Sequence, residues 1–229
     1  MIDFVHLHVH SDYSLLDGAA SVESLADKAE ALGMRHLAIT DHGNMFGALK
    51  FIAACKEHAD HSPRANPIHP IIGNEFYMAP GSRFEKSGSE HGNKYYHLIL
   101  LAKDARGYKN LLKLTSASYT DGFYYKPRID EEVLVKYHEG LVCLSACIAG
   151  EIPSLILEDK IEEAEKKARW FRDLFGDEDF YLELQDHGLE EQKKANAALI
   201  DIAKHTGIPL VVTNDIHYLE ENDAEVQDI

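Results

Sequence analysis

Phe4-Val5-His6-Leu7-His8-Val9-His10 decides how this chain is read. Val5, Leu7 and Val9 alternate with three histidines, and a period of two puts alternate side chains on opposite faces of a strand. The stretch therefore predicts a first strand with one apolar face and one imidazole face. Outward from it, Ser21 is an N-cap for a helix carrying Leu25, Ala26, Ala29 and Leu32, and Gly33 is its stop. A second strand over 37–40 ends in Asp41-His42-Gly43. The rhythm then repeats, with a helix over 46–58, strands over 71–76 and 95–102, and helices over 105–117 and 131–137. A strand over 141–145, helices over 152–158 and 161–175, a strand over 180–185, a helix over 190–206 and a strand over 210–213 follow. Some seven strands, mostly separated by helices, predict the α/β class with a parallel sheet or barrel.

Residues 81–93 and 119–130 break the rhythm and read as loops. No repeat or linker divides the chain, so one domain over residues 1–229 is expected. Residues 220–229 read as a helix just begun, which predicts a piece of a longer chain.

The chain has 229 residues, 23 Lys+Arg against 39 Asp+Glu, a formal net charge of −16, and 14 His. With 45% hydrophobic and 27% charged residues, it has a globular composition and not a disordered one. Its apolar runs fall far short of the roughly 20 residues of a membrane span, and Asp3 and the early histidines interrupt any secretory signal. Three cysteines without such a signal argue against a disulfide framework and for a reducing, cytoplasmic compartment. A surface this acidic cannot be the main grip on duplex DNA, which needs Lys and Arg to displace counterions.

The excess histidines fall with acids at the predicted strand ends. His8 and His10 end the first strand and Asp17 follows; His42 ends the second, Glu75 lies at the end of the third, and His97 is in the fourth. Cys147 follows the fifth, and Asp215 and His217 follow the seventh. Parallel α/β folds build sites where strand C-termini converge. Each element alone has a plainer reading: His-x-His as surface or core residues, Asp41 as a turn cap, a cysteine as a small buried hydrophobe. That last reading is kept for Cys143. Their joint placement points instead to a metal site of N, O and S donors suited to Zn²⁺ or Mn²⁺. His36, His58, His61, His69, His91, His138 and His205 lie in loops or on helix faces and receive no function. His187, at the end of the sixth strand, is open to either reading, as packing residue or substrate contact.

Phe4 to Ser11, Leu15-Leu16-Asp17-Gly18 and Ile39-Thr40-Asp41-His42-Gly43 resemble the polymerase and histidinol phosphatase (PHP) superfamily. With Gly73-Asn74-Glu75-Phe76-Tyr77, Tyr96-His97-Leu98, Leu144-Ser145-Ala146-Cys147 and Asn214-Asp215-Ile216-His217-Tyr218, they resemble its polymerase branch. That branch is the N-terminal PHP domain of bacterial DNA polymerase III alpha subunits. The resemblance covers essentially the whole chain and implies a distorted seven-stranded α/β barrel, the (βα)7 PHP barrel. It also implies three divalent ions, Zn²⁺ or Mn²⁺ with Fe²⁺ as a further candidate. His8, His10, Glu75 and Asp215 would hold the first; Glu75, His97 and Cys147 the second; Asp17, His42 and His217 the third. Many PHP phosphatases have His where this chain has Asp17 and Cys147, a difference that looks typical of the polymerase branch. Some polymerase members have lost several ligands and are thought to keep the domain as scaffold. This chain has lost none, which predicts activity.

Four ligand negative charges against six from three divalent ions would leave a pocket of roughly +2, suited to phosphate. The resemblance thus implies metal-dependent phosphoester hydrolysis by a metal-bound hydroxide, with no protein nucleophile. The implied substrate is the 3′ end of a DNA strand, giving 3′→5′ exonuclease proofreading inside the polymerase. Arg128 and Arg83 are candidate contacts to a flanking phosphate through their planar guanidinium groups. The implied partners are the rest of the polymerase III alpha chain and a separate proofreading exonuclease subunit, with no membrane. Two other readings compete: a metal-braced docking module without hydrolysis, and a free-standing phosphatase for a small phosphomonoester such as histidinol phosphate.

Overall fold

The computed structural model describes residues 4–58, 60–86 and 95–227, without the side chains of 226 and 227. Its elements in chain order are α1 (Val22–Ala31), β1 (His36–Ile39), α2 (Ala48–Ala54), β2 (His69–Met78) and β3 (Tyr96–Ala102). Next come α3 (Ala105–Thr120), β4 (Arg128–Ile129), α4 (Glu131–Tyr137), β5 (Leu141–Leu144), α5 (Glu151–Leu157) and α6 (Ile161–Phe175). β6 (Phe180–Leu184), α7 (Glu190–Thr206) and β7 (Leu210–Val212) follow, then a 3₁₀ turn (Glu221–Asp223) and α8 (Ala224–Gln227). The expected α/β class with seven strands is observed. The chain divides into two compact units, one of Met1–Asn74 with Asn214–Ile229, the other of Glu75–Thr213. The boundary falls inside β2, at no composition change a sequence reading would notice.

In the first unit, β1 pairs in parallel with the start of β2, from His36 opposite His69 to Ile39 opposite Ile72. The predicted first strand does not form a continuous ladder. It makes single parallel bridges, His6 to Leu37 and Val9 to Ile216. Thr40 stitches one side: its N–H donates to the Val9 carbonyl at 2.8 Å, and its hydroxyl receives the Val9 N–H at 2.8 Å. On the other side the His10 N–H donates to the Ile216 carbonyl at 2.7 Å and the Ile216 N–H to the His8 carbonyl at 3.1 Å. Both faces of the stretch are enclosed here, since Val9, His8 and His10 are all fully buried. α1 starts as expected, Ser21 accepting the Ser24 N–H, and buries Val22, Leu25, Ala26 and Ala29, while Leu32 caps it from an exposed position. Buried Arg64 ties α1 to the end of α2, donating to Asp27 and Glu30 at 2.7 Å each and to the Ala54 carbonyl at 2.6 Å.

In the second unit, the end of β2 pairs in parallel with β4, Tyr77 opposite Arg128, a short strand inside the stretch expected to be a loop. β5 pairs with β6 and β6 with β7 in parallel. β3 is the exception to the expected parallel rhythm: it runs antiparallel to β5, with Ile99 opposite Leu144 and Ala102 opposite Leu141. α3 begins on Asp104, which accepts the N–H groups of Arg106 and Gly107, and α7 ends on Gly207 at a positive φ of 76°. A core of Ile99, Leu100, Leu111, Leu114, Leu141 and Leu144 is fully buried, and the Phe171 and Phe180 rings stack at 5.3 Å.

Candidate metal centre

The bridge between Val9 and Ile216 builds the first ligand group, because residues flanking a parallel bridge on each strand share a face. His8 and His10 thereby meet Asp215 and His217. His8 Nε2 lies 3.1 Å and His10 Nε2 3.3 Å from Asp215 Oδ1. Asp215 is held at φ 48°, the left-handed region that Asp tolerates better than most residues. The His10 ring stacks on His217 at 4.2 Å and sits 4.2 Å from the His42 ring, and one donor atom from each of these three lies within 4.8 Å of the others.

Asp17 joins this group from the turn over residues 11–18. Its Oδ2 is 3.1 Å from His42 Nε2 and 3.9 Å from His217 Nε2. Burial raises the Asp17 carboxyl, but the His42 hydrogen bond and the imidazoles of His42, His217 and His10 outweigh it and hold it below its ordinary value. Gly18 makes the turn possible, since a side chain there would overlap the Ser11 carbonyl. Asn44 ties the turn to the loop after His42, donating to the carbonyls of Tyr13 and His42 at 2.9 and 3.0 Å.

The second unit holds Glu75, His97 and Cys147. Glu75 Oε1 is 2.8 Å from His97 Nδ1, and Cys147 Sγ is 3.7 Å from the same nitrogen. The antiparallel run of β3 explains this meeting: His97 lies near its beginning, beyond the C-terminal end of β5, where Cys147 follows. The His97 N–H donates to the Ala149 carbonyl at 3.0 Å, pinning the turn that carries Cys147. In that turn Ala146 is held at φ 64° with almost no exposure. Cys143 stays a buried core residue, its thiol pushed far above the ordinary value mainly by burial.

These donors fit divalent cations. Each group combines imidazole nitrogen with carboxylate, the second adds sulfur, and among the described residues the buried Oδ1 of Asp17 receives no hydrogen bond. Hydrogen-bonded cores satisfy such atoms, so an oxygen left this way beside His42 suits a cation.

Arg83, Arg128 and His187 are engaged within the second unit. Arg83 is buried and donates from Nη1 to Asp130 at 2.9 Å and from its backbone N–H at 2.8 Å. Arg128 is also buried, donating to the carbonyls of Gly122 at 3.1 Å and Glu85 at 2.8 Å, and burial lowers its guanidinium below the ordinary value. Both guanidinium groups, candidate phosphate contacts by sequence, are thus engaged by the protein itself, Arg83 by the Asp130 carboxylate and Arg128 by loop carbonyls. Gln192 accepts the His187 N–H at 2.7 Å and lies 2.9 Å from His187 Nδ1. Of the histidines given no function, His36 and His69 stack at 5.0 Å across β1 and β2, and His58 lies 3.4 Å from Asp27. His91 and most of the glycine-bearing loop over 81–93 lie outside the described residues. Among the described residues, no helix is long and apolar enough to cross a membrane. The residue that sequence reasoning passed over is Asp41, read as a turn cap but buried and hydrogen-bonded by Ser11 and Ser14.

Seven strands, interleaved helices and histidine–carboxylate groups at the strand ends define an α/β domain furnished with donors for divalent metal. The chain belongs to the PHP domain family, whose model matches residues 6–187. It is 53% identical over 228 residues to DNA polymerase III subunit alpha of Treponema pallidum, covering 100% of this chain and 19% of that protein. The same subunit of Borreliella burgdorferi is 53% identical over 226 residues, 99% of this chain and again 19% of the relative. The chain thus spans about a fifth of the length of these relatives, by the same coverage. In fold it is similar to a Bifidobacterium adolescentis protein described as a metal-dependent phosphoesterase, at TM-score 0.55 and 13% identity, with 93% of this chain and 87% of that one covered. The likeness bears out the expected PHP-type barrel fold.

Proposed function

We propose that this chain hydrolyses phosphoesters with divalent metal, and that inside a replicative polymerase alpha chain it removes nucleotides from a DNA 3′ end. The observation that carries the reading is the convergence of His10, His42 and His217 with Asp17 and Asp215 in one unit. Glu75, His97 and Cys147 supply further donors in the other. These eight residues, with His8 as the ninth, are the proposed ligands for three ions, Zn²⁺, Mn²⁺ or Fe²⁺. Bound divalent ions supply charge for phosphoryl oxygens and activate water near neutral pH. The chain's own part is to hold them. The imidazoles donate lone pairs without cancelling cationic charge, and Asp17, held in its ionised form, faces His42 and His217 with negative charge.

The test is nucleotide release from a primer terminus with Mn²⁺ or Zn²⁺, against Glu75→Ala as control. Metal-dependent release abolished in the variant is expected; release equal to the control overturns the exonuclease reading. Elemental analysis of the purified chain gives identity and stoichiometry of the ions. Full burial of His8, His10 and Glu75 supports a second reading, in which metal braces the fold and the domain serves as a docking module. A chelator titration separates the two. Loss of hydrolysis by a chain that stays folded favours catalysis, and melting without any cleavage of substrate favours bracing.

A further inference from the structure

Asp41 follows β1 and is almost completely buried, yet it stands outside the proposed ligand set. Three donors converge on its carboxylate. The Ser11 N–H reaches Oδ1 at 2.7 Å, the Ser11 hydroxyl lies 2.9 Å from Oδ2, and the Ser14 hydroxyl lies 2.9 Å from Oδ1. Ser14 is itself buried and meets two further groups. Its Oγ is 2.9 Å from His10 Nδ1 and receives the His42 backbone N–H at 3.1 Å.

Counting protons around this one oxygen decides a tautomer. A serine hydroxyl has one proton to give and two lone pairs to receive. The His42 amide can only donate, so it occupies one lone pair. Asp41 Oδ1 already accepts the Ser11 amide and acts as an acceptor, so the single Ser14 proton points to Asp41. One lone pair remains, and it faces His10 Nδ1. That contact is a hydrogen bond only if Nδ1 carries the proton.

We infer that Asp41 and Ser14 are positioning residues that hold neutral His10 as its Nδ1–H tautomer, which makes Nε2 the atom offered to a divalent cation. Nε2 is the nitrogen 3.3 Å from Asp215 Oδ1, so the relay aims the lone pair at the proposed ligand group. Metal-binding imidazoles commonly donate their second N–H to an acceptor that fixes ring and tautomer. Here a serine, itself oriented by a buried carboxylate, fills that place. The same hydroxyl anchors the His42 backbone, and Ser11 and Ser14 both belong to the turn that carries Asp17. One buried carboxylate therefore sets the geometry around three proposed ligands. The inference rests on the reading of His10 as a ligand, but the tautomer can be measured without metal or substrate.

The deciding measurement is a long-range ¹⁵N–¹H correlation spectrum of the metal-free chain with ¹⁵N-labelled histidine rings, taken at a pH where His10 is neutral. His10→Gln assigns the signals by their loss. The expected result is a protonated Nδ1 and an unprotonated Nε2; the opposite tautomer, or an even mixture, overturns the proposal. Ser14→Ala removes one buried oxygen and the whole relay. It is expected to abolish the tautomer preference and weaken Zn²⁺ or Mn²⁺ binding about 10- to 100-fold, with the far-ultraviolet circular dichroism of the metal-free chain unchanged. Unchanged metal affinity in that variant also overturns it. If Ser14→Ala does not fold, the spectrum of the parent chain decides alone. Both readouts use the metal alone or none, so a chain that binds metal but cleaves no phosphoester defeats the proposed function and leaves this inference standing.

Discussion

Asp130→Ala tests whether Arg83 belongs to the architecture or to a substrate. Asp130 is buried and accepts four hydrogen bonds: two from Arg83 Nη1 at 2.9 and 3.1 Å, one from the Arg83 backbone at 2.8 Å, and one from the Val133 N–H at 3.1 Å, as N-cap of α4. Losing the cap costs about 1 kcal/mol. Losing the partner of a buried guanidinium costs about 1.5–3 kcal/mol more. Asp121 at 3.7 Å and Glu132 at 3.5 Å stay near Arg83 and offset part of this, so we expect a total of about 3 kcal/mol. For a chain of this length each kcal/mol moves Tm by about 2–4 °C, which gives a drop of about 6–12 °C by scanning calorimetry. Asp130→Asn keeps a good cap and loses only the charge, and should fall by less than half as much. Metal affinity should be unchanged in both. A Tm for Asp130→Ala within about a degree of the parent, well under the smallest shift worked out above, would refute the reasoning. If it were joined by weaker substrate binding, Arg83 would return as a phosphate contact.

Gly18→Ala should open the turn over residues 11–18, because its new methyl group overlaps the Ser11 carbonyl. The expected outcome is at least a roughly 10-fold loss of Mn²⁺ affinity by calorimetric titration, since Asp17 moves with the turn. Arg64→Ala should destabilise by about 2–3 kcal/mol in urea titration; this is less than for a fully buried pair, because Asp27 is half exposed and can be rehydrated. The Arg64 guanidinium holds the Glu30 carboxyl below its ordinary value near 4.5. Its contribution is therefore present above that pH and lost as pH falls through the lower folded value, so Glu30→Gln should flatten the acid limb of the stability curve. Cys147→Ala should weaken Zn²⁺ binding, whereas Cys143→Ala should leave binding intact and cost about 1 kcal/mol of packing, as metal titration and urea unfolding would report.

The periodic parts of the fold were legible because a helix or strand that buries one face shows it in the spacing of its apolar residues. α4, α6 and α7 match their expected bounds. The strand count matched by compensation: residues 4–10 form bridges in place of a ladder, while β4, two residues long, has too little sequence to carry any period. Strand direction carries no signature in a run such as Tyr96–Ala102, so the antiparallel β3 was invisible. His97 came to Cys147 by a route the parallel-sheet argument did not contain. The ligands themselves were legible as chemistry, since few other roles gather histidine and carboxylate at successive strand ends. What they rest on was not. Asp41 looks like any turn-capping aspartate, and only the return of Ser11 and Ser14 over it gives its carboxylate a different task. The burial of Arg83 and Arg128 was hidden for the converse reason: loop position says nothing of burial, the Asp130 carboxylate that holds Arg83 is 47 residues away, and the backbone carbonyls that hold Arg128 have no letter of their own.

Ala146 holds the left-handed backbone conformation immediately before Cys147. For a residue with a Cβ this conformation costs about 1–2 kcal/mol, which glycine would relieve. Glycine would also give the unfolded chain more freedom, worth about 0.4–1 kcal/mol in the opposite direction. The second offsets only about half of the first, so a survey of variants ranked by melting temperature would accept glycine at position 146 without objection. A survey ranked by retention of the Cys147 ligand would not, because the alanine narrows the range of directions in which the following thiol can point. Positions of this kind are silent to selection for stability and audible only to selection for aim.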